Sequence, residues 1–187
     1  MLRSAEHKTG KVLLVDGYNV IRAGGHYEHF LELSPDHSQD TFNAAREALL
    51  LDVVSFAGRE FATTVVFDGA GNPGSNGEKQ IFGTIEYLFS PYGITADTII
   101  ERLANKAARD GLEVLVISSD ATIQTTVFGR KVTRMSAAGF YNEIESLRSS
   151  LDELARQGSN TPAQKNTLAE RIDPEVSEKL RRLVRGD

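Results

Sequence analysis

Apolar runs and alternating stretches predict five strands in this chain. Residues 12–15 are β-branched and aliphatic without a break, a pattern typical of a strand buried on both faces of a parallel sheet. From Ile81 to Phe89 apolar residues alternate with more polar ones, which indicates a strand exposed on one face. In chain order the predicted strands occupy 11–16, 63–68, 81–89, 112–118 and, as a minor strand, 131–134.

Helical spacing of apolar positions fills the intervals between these strands. It predicts a helix over 41–59 with a stop at Gly58, a helix over 96–109 with a stop at Gly111, and a short helix through Phe128. The polar segment between the first strand and the first of these helices is predicted to be a loop. Strands that alternate with helices favour an α/β domain with a mostly parallel sheet.

A longer helix and a tail are predicted beyond the last strand. From Ser136 onward a stripe of apolar residues steps by four and three, and we interpret it as packing on the domain: Phe140, Ile144, Leu147, Leu151 and Leu154. Residues 157–166 have the composition of a linker, and Asp173 followed by Pro174 is a helix start signal. These features predict a loose leader at 1–10, a main domain at 11–156, and a linker with a C-terminal helical tail at 157–187.

The composition limits the classes of protein to which the chain can belong. Its 187 residues include no cysteine, which excludes disulfides, thiolate zinc sites and cysteine nucleophiles. No stretch reaches the roughly 18 consecutive apolar residues of a membrane helix, and the N-terminus lacks the apolar core of a secretory signal. We therefore predict a cytoplasmic protein without a membrane partner.

The charge balance leaves nucleic-acid binding open. A net charge of −5 and a pI near 5.4 differ from the basic excess that nucleic-acid-binding proteins usually carry. An enzyme that holds several carboxylates for metal ions is nevertheless acidic by count until the metals bind. Any contact with nucleic acid would then depend on a local basic patch.

Aspartates stand at the ends of three predicted strands and at the start of a helix: Asp16, Asp68 and Asp120 follow strands, and Asp97 opens the helix. The carboxyl ends of strands in an open parallel sheet line the crevice where ligands bind, so these side chains should converge. Clustered carboxylates repel one another unless a hard divalent cation such as Mg²⁺ or Mn²⁺ lies among them. Each aspartate alone could equally be a helix cap or a turn former, and the pattern of all four favours a metal site. Asn19 could ligate weakly, orient a water, or only form a turn.

The motifs of several other catalytic classes are missing from the sequence. No G-x-G-x-x-G follows the first strand, so the dinucleotide-binding fingerprint is absent. Neither the P-loop motif nor the G-x-S-x-G elbow of serine hydrolases occurs. None of these motifs therefore supports an alternative to the hypothesis of a metal site.

Four segments together resemble a known family. "LLVDGYNVI", "VVFDG", "ITADTIIERL" and "VLVISSDATIQTTVFG" match, in order and spacing, the YacP-like branch of NYN-domain ribonucleases, which are relatives of the PIN nucleases. The resemblance spans about residues 12–156, and the tail "DPEVSEKLRRLVRGD" is similar to the end of this branch. It implies a PIN-like three-layer sandwich with strand order 3-2-1-4-5 and an acidic, metal-dependent site that cleaves RNA. One branch of the family acts on messenger RNA in association with the ribosome.

The resemblance also implies roles for individual residues. Asp16 and Asn19 match the D-x-x-N motif at the end of the first strand, and Asp68, Asp97 and Asp120 match the further acids of the family. Metal-binding roles are implied for three of them: Asp16, Asp97 and Asp120. Ser118 and Ser119 precede the last acid and could support it by hydrogen bonding. The implied products are a 5′-phosphate and a 3′-hydroxyl.

A short basic cluster offers candidate contacts for RNA: Arg130, Lys131 and Arg134. Arg22 is a further candidate, and Tyr18 could stack on a base or simply pack in the domain. Any one of these charges could also be a solvated surface residue.

We therefore hypothesise a metal-dependent endoribonuclease that uses Mg²⁺ or Mn²⁺ and acts in mRNA decay, with the ribosome as an implied partner. Two alternatives remain open: an RNA- or ribosome-binding module with an inactive nuclease site, and a metal-dependent phosphohydrolase of small molecules. Activity on an RNA oligomer compared with a generic phosphomonoester would separate them.

Overall fold

A mostly parallel sheet with helices on both faces forms the framework of the protein. The computed structural model describes residues 10–23, 25–27, 30, 41–119 and 131–159. The chain divides into two compact units, 1–148 and 149–187, and the sheet lies in the first. In the second unit the described residues are the last turns of a helix.

The elements follow one another in the order that the periodicities predict, with two additions. They are β1 (Lys11–Asp16), α1 (Gly17–Arg22), α2 (Thr41–Ala57), β2 (Ala62–Phe67), β3 (Lys79–Phe82), β4 (Ile85–Phe89), α3 (Ala96–Arg109), β5 (Glu113–Ile117), β6 (Val132–Met135) and α4 (Ala137–Ser159).

The sheet has six strands in the order β3-β4-β2-β1-β5-β6. All neighbouring strands are parallel except β3 and β4, which form an antiparallel pair. If β3 is set aside, the remaining five strands follow the predicted order 3-2-1-4-5. The α/β fold class is thus confirmed, and the predicted strand order differs from the observed one by the edge strand β3.

Two apolar cores lie on opposite faces of the sheet, because successive strand residues point to opposite sides. On one face Leu13 and Val15 of β1 pack with residues of α1, α2 and α4. On the other face Leu14 packs with Ile100 and Ala104 of α3. Asp16 continues the even-numbered positions of β1, so it lies at the carboxyl edge on the face that α3 covers.

The predicted loop after β1 is wrong over its first six residues, which form helix α1. Asp16 is the N-cap of this helix, and its side chain accepts a hydrogen bond from the backbone N–H of Asn19. A helix of six residues is too short to show a periodic pattern, so the possible cap Asp16 was the one sign of it in the sequence.

The predicted strand at 81–89 is a hairpin, with β3 and β4 joined by a turn at Gly83 and Thr84. Gly83 adopts a φ of 57°, the left-handed conformation that a glycine tolerates and that the tight turn requires. The hairpin was missed because the alternation of apolar residues continues in phase through the turn.

The interpretation of the apolar stripe of α4 is only partly confirmed. Phe140 and Ile144 are buried in the core, whereas Leu147, Leu151 and Leu154 are 39%, 64% and 64% exposed. The stripe therefore packs on the sheet at its beginning and is exposed further along.

Several predictions fall wholly or largely outside the described residues. These are the leader at 1–10, of which Gly10 is described, the short helix through Phe128, and most of the linker and tail at 157–187. The domain boundaries therefore remain predictions. No helix in the described part of the chain combines the length and apolar character needed to cross a membrane.

Candidate active site

A cleft of about 430 Å³ lies at the carboxyl edge of the sheet and brings together half of the predicted site residues. We call it the acidic cleft. Its lining consists of Asp16, Asn19, Arg22, Ala23, Asp68, Ala96, Asp97 and Ser119. Residues separated by about a hundred positions in the sequence meet here because β1, β2 and β5 are adjacent and parallel and end at the same edge.

Asp16 is the most buried acid of the cleft, with 6% of its surface exposed. One carboxylate oxygen accepts a hydrogen bond from the backbone N–H of Asn19 at 3.3 Å. The other accepts a long hydrogen bond from the hydroxyl of Ser118 at 3.5 Å, and Ser118 is itself fully buried. These contacts fix the direction of the carboxylate before any ligand arrives.

Asn19 connects the ends of β1 and β5. Its side-chain oxygen accepts a hydrogen bond from the backbone N–H of Ser119 at 2.7 Å. The hydroxyl of Ser119 in turn accepts one from the backbone N–H of Ala137, at the start of α4, at 3.2 Å. Asn19 and Ser119 therefore position the backbone immediately before Asp120, which lies outside the described residues.

Asp97 and Asp68 enter the cleft from two other elements. Asp97 lies in the first turn of α3, where Thr95 is the N-cap and its hydroxyl accepts from the backbone N–H of Thr98. Asp68 follows β2 directly and is exposed, and one of its carboxylate oxygens accepts from the backbone N–H of Ala70 at 2.8 Å. One oxygen of Asp68 is therefore engaged in a turn of the loop that follows.

Neither of the two described members of the predicted basic cluster lines this cleft. Lys131 precedes β6 at the amino end of the sheet, where its ammonium donates to the carbonyl of Gly111 at 2.5 Å. Met135 at the carboxyl edge is four residues further along, about 13 Å away. Arg134 is half-buried within β6, and Arg130 lies outside the described residues. Of the predicted basic contacts, Arg22 lines the acidic cleft.

A second and larger cleft, of about 780 Å³, adjoins the acidic cleft and shares Asp68 with it. Tyr18, Phe42 and Arg46 line it together with Phe89 and residues of the 69–78 loop. The sequence reasoning missed all of these side chains except Tyr18. Phe42 and Arg46 are four residues apart, so they share one face of α2, but no local signal shows that this face borders a cleft.

The donor set of the acidic cleft suits a hard divalent cation in its chemistry, because Mg²⁺ and Mn²⁺ prefer carboxylate oxygens. Among the described residues, no three metal-ligating side chains are close enough together to hold an ion by themselves. Mg²⁺ commonly takes only one or two protein carboxylates and completes its shell with waters and substrate phosphates. The carboxylates of the cleft are therefore compatible with such a cation.

The fold and the cleft together define a class: an α/β domain whose parallel strands deliver acidic residues to one edge, as in PIN-like nuclease domains. A family model described as the YacP-like NYN domain matches residues 13–185. The chain therefore belongs to the YacP-like NYN-domain family, whose domain is PIN-like and nuclease-like.

Individual relatives agree with this assignment. The chain is 31% identical over 180 residues to a Bacillus subtilis (strain 168) protein named uncharacterized protein YacP, covering 94% of this chain and 98% of that protein. It also resembles the crystal structure of Rae1 (YacP) from Bacillus subtilis, with a TM-score of 0.60 and 29% identity over 94% of this chain and 95% of that one. A mutant of Rae1 (YacP) gives a TM-score of 0.63 and 25% identity, over 86% and 89% of the two chains.

Proposed function

We propose that this protein is a metal-dependent endoribonuclease that hydrolyses phosphodiester bonds in messenger RNA. The observation that supports the proposal most strongly is the convergence of Asp16, Asp68 and Asp97 on one cleft at the carboxyl edge of a nuclease-like fold. The cytoplasm, where mRNA is translated, is the proposed location, and the ribosome is a proposed partner through the family resemblance.

The residues of the acidic cleft have separable roles in this proposal. Asp16 and Asp97, with Asp120 outside the described residues, would hold Mg²⁺ or Mn²⁺, and Asp68 would complete the ligand set or orient water. Such an ion supplies water activation and offsets the negative charge that develops on the phosphate. Arg22 lines the same cleft and would bind a phosphate oxygen of the RNA.

Substitution of Asp97 tests the proposal. Loss of an outer-shell partner of a metal ligand commonly costs 10- to 100-fold in activity, so loss of a ligand should cost at least about a hundredfold. We expect the Asp97→Asn protein to lose RNA cleavage by that factor, measured on a labelled oligonucleotide in Mg²⁺ or Mn²⁺. The matched control is Asp110→Asn, because Asp110 is the exposed C-cap at the opposite end of the same helix.

The same proteins report on the metal. An ion that binds only the folded state stabilises it by RT ln(1 + [L]/Kd), about 2.7 kcal/mol at a hundredfold excess over Kd. The parent and the Asp110→Asn protein should therefore melt at a higher temperature in Mg²⁺ or Mn²⁺ than in chelator, and Asp97→Asn should lose this shift. Full activity of the Asp97→Asn protein would contradict the assignment of the site.

Substrate comparison separates the proposal from its alternatives. An RNA-binding module with an inactive site would bind RNA without metal-dependent cleavage by the parent. A small-molecule phosphohydrolase would hydrolyse a generic phosphomonoester such as p-nitrophenyl phosphate and leave RNA intact. The endoribonuclease should cleave RNA internally, leave 5′-phosphate ends, and spare the phosphomonoester.

A further inference from the structure

The larger cleft beside the acidic cleft has the chemistry of a nucleobase site. We propose that it binds one unstacked base of the RNA strand next to the scissile phosphate, and we call it the base cleft: Tyr18, Phe42, Arg46, Gln80, Phe89 and the 69–78 loop. This inference rests on the proposed function, because the shared residue Asp68 places the base cleft directly beside the proposed cleavage site.

Arg46 presents a planar group that is fixed in place. One nitrogen of its guanidinium donates to the hydroxyl of Tyr18 at 2.9 Å, and another donates to the side-chain oxygen of Asn43. The central carbon of the guanidinium is 5.5 Å from the centroid of the Phe89 ring. Unpaired bases of RNA commonly stack on guanidinium planes and aromatic rings. Because Arg46 is already anchored, it loses little conformational freedom when a base arrives.

Tyr18 is packed against other aromatic rings and helps to hold Arg46 in place. Its ring packs edge-on against Phe42 with centroids 5.4 Å apart, and tilted against Phe67 at 5.2 Å. Arg22 lies over the same ring, 5.7 Å from its centroid, and it also lines the acidic cleft. The ring of Tyr18 therefore connects the residue that would bind a phosphate with the guanidinium that would bind the base.

A loop that also lines the base cleft is held to the end of β4. The backbone N–H of Gly69 donates to the buried hydroxyl of Ser90 at 2.9 Å, and the hydroxyl of Ser75 donates to the carbonyl of Ser90 at 2.7 Å. The backbone N–H of Tyr92 donates to the carbonyl of Ser75 at 3.0 Å. These bonds give the loop a defined path although it is rich in glycine.

The charges and hydrogen-bonding groups favour a base over a phosphate in this cleft. Arg46 is the one cation among the described lining residues, whereas Asp68 and Glu78 contribute two carboxylates that would repel a phosphate. The side-chain oxygens of Asn72 and Gln80 accept hydrogen bonds from Gly74 and Tyr87. Their amide nitrogens have no partner in the described part of the chain and can donate to the edge of a base.

A kinetic experiment on the full chain tests whether Arg46 contacts one base of the RNA. Cleavage is measured on an RNA oligonucleotide and on versions that carry an abasic nucleotide at each position around the scissile bond. We expect one abasic position to lower kcat/KM of the parent about tenfold, the order expected for one stacked base. Arg46→Lys, which keeps the charge but not the plane, should lose about tenfold on intact RNA and nothing further at that position.

Arg109→Ala removes one exposed positive charge at the far end of α3 and should respond to the abasic position as the parent does. If the losses from Arg46→Lys and from the abasic nucleotide multiply, the two groups act independently and the base cleft is wrong.

A binding measurement separates failure of this inference from failure of the proposed function. The Asp97→Asn protein is titrated with 5′-AMP, 5′-UMP and ribose 5-phosphate while backbone amide signals are followed by NMR. Both nucleotides should shift signals of residues 69–80, ribose 5-phosphate should not, and a second substitution Arg46→Ala should abolish the shifts. If the parent does not cleave RNA, the proposed function fails while these shifts still support a base site. Metal-dependent cleavage without the shifts would overturn the base cleft alone.

Discussion

Asp16 combines a structural role with its proposed chemical one. As N-cap it satisfies a backbone donor of α1, and the hydroxyl of Ser118 holds its other oxygen. A side chain constrained in this way loses little freedom on binding a ligand, which favours a preorganised site. Removal of Asp16 would therefore change the start of α1 as well as the chemistry, so Asp97 is the clearer residue for testing function.

The side chain of Asn19 contributes to the stability of the fold through one hydrogen bond. Its side-chain oxygen is the acceptor for the backbone N–H of Ser119, so Asn19→Ala removes a bond between the ends of β1 and β5. We expect a loss of about 0.5–1.5 kcal/mol in the free energy of unfolding, measured by urea denaturation. Asn19→Asp keeps an acceptor at this place and should recover part of the loss.

The control for this prediction is Asn105→Ala in α3. Both asparagines lie in helices, so each substitution by Ala carries a gain in helix propensity, and this gain is largest in a helix interior such as that around Asn105. The side chain of Asn105 makes no hydrogen bond with the described residues, so only the propensity gain remains there. Equal effects at the two positions would show that the bond to Ser119 contributes nothing.

Among the elements, the 69–78 loop depends on the absence of a side chain at one position. A Cβ atom on Gly69 would lie 2.3 Å from the carbonyl oxygen of Ser90, which is backbone and cannot move aside cheaply. Gly69→Ala should therefore lower the free energy of unfolding by about 1–3 kcal/mol in urea denaturation. It should also reduce RNA cleavage, because Asp68 immediately precedes it.

Gly71 in the same loop is the matched position. A Cβ atom there meets nothing within 4 Å, so Gly71→Ala should change the stability by no more than about 0.5 kcal/mol. Similar losses for both substitutions would mean that loop flexibility, and not the contact with Ser90, requires the glycines.

The convergence of the acids was predictable because it depends on topology more than on side-chain detail. Parallel strands that end in aspartate bring those aspartates to one edge, and this is how Asp16 and Asp68 meet. Lys131 and Arg134 form one basic cluster in the sequence, yet Lys131 lies at the amino end of the sheet. Closeness along a strand does not bring two side chains to the same edge.

The base cleft could not be predicted from the sequence for a similar reason. Arg46 meets Tyr18, 28 positions away, and Phe89, 43 positions away, and these contacts depend on how α2 packs on the sheet. A local pattern identifies the face of a helix but not the partner of that face. The sequence therefore indicated the acids of the acidic cleft but not the residues of the base cleft beside it.

A polar cluster fixes the helices on one face of the sheet. Asp52 of α2 is 6% exposed and accepts a hydrogen bond from the hydroxyl of Tyr27 at 2.9 Å. Its other oxygen accepts from Arg148 of α4 at 2.7 Å, and His26 lies 3.5 Å away. The ring of His26 stacks on Tyr141 of α4 with centroids 5.0 Å apart. His26 is therefore packed, although loop histidines are more often solvated.

Because of this cluster, we expect the stability of the fold to fall at alkaline pH. Burial, with a further contribution from the negative charge of Asp52, raises the pKa of Tyr141 to about 12. Burial, and next the negative charge of Asp52, also raise the pKa of Tyr27 above its ordinary value. Both tyrosines therefore keep their protons in the folded state at a pH where the unfolded chain releases them. The folded state then binds more protons than the unfolded state, and its stability falls as the pH rises.

The pH window follows from these values. The contribution of Tyr141 is complete below pH 10, its ordinary pKa, and is lost between pH 10 and about 12. The loss amounts to about 1.4 kcal/mol per pH unit for each such tyrosine.

Between pH 10 and 12 the free energy of unfolding of the parent, from urea denaturation, should therefore fall more steeply than that of Tyr141→Phe by about this amount. Tyr92→Phe is the control, because Tyr92 is 61% exposed, and it should follow the parent. Parallel curves for the parent and Tyr141→Phe would show that the hydroxyl of Tyr141 ionises as easily in the folded protein as in the unfolded chain.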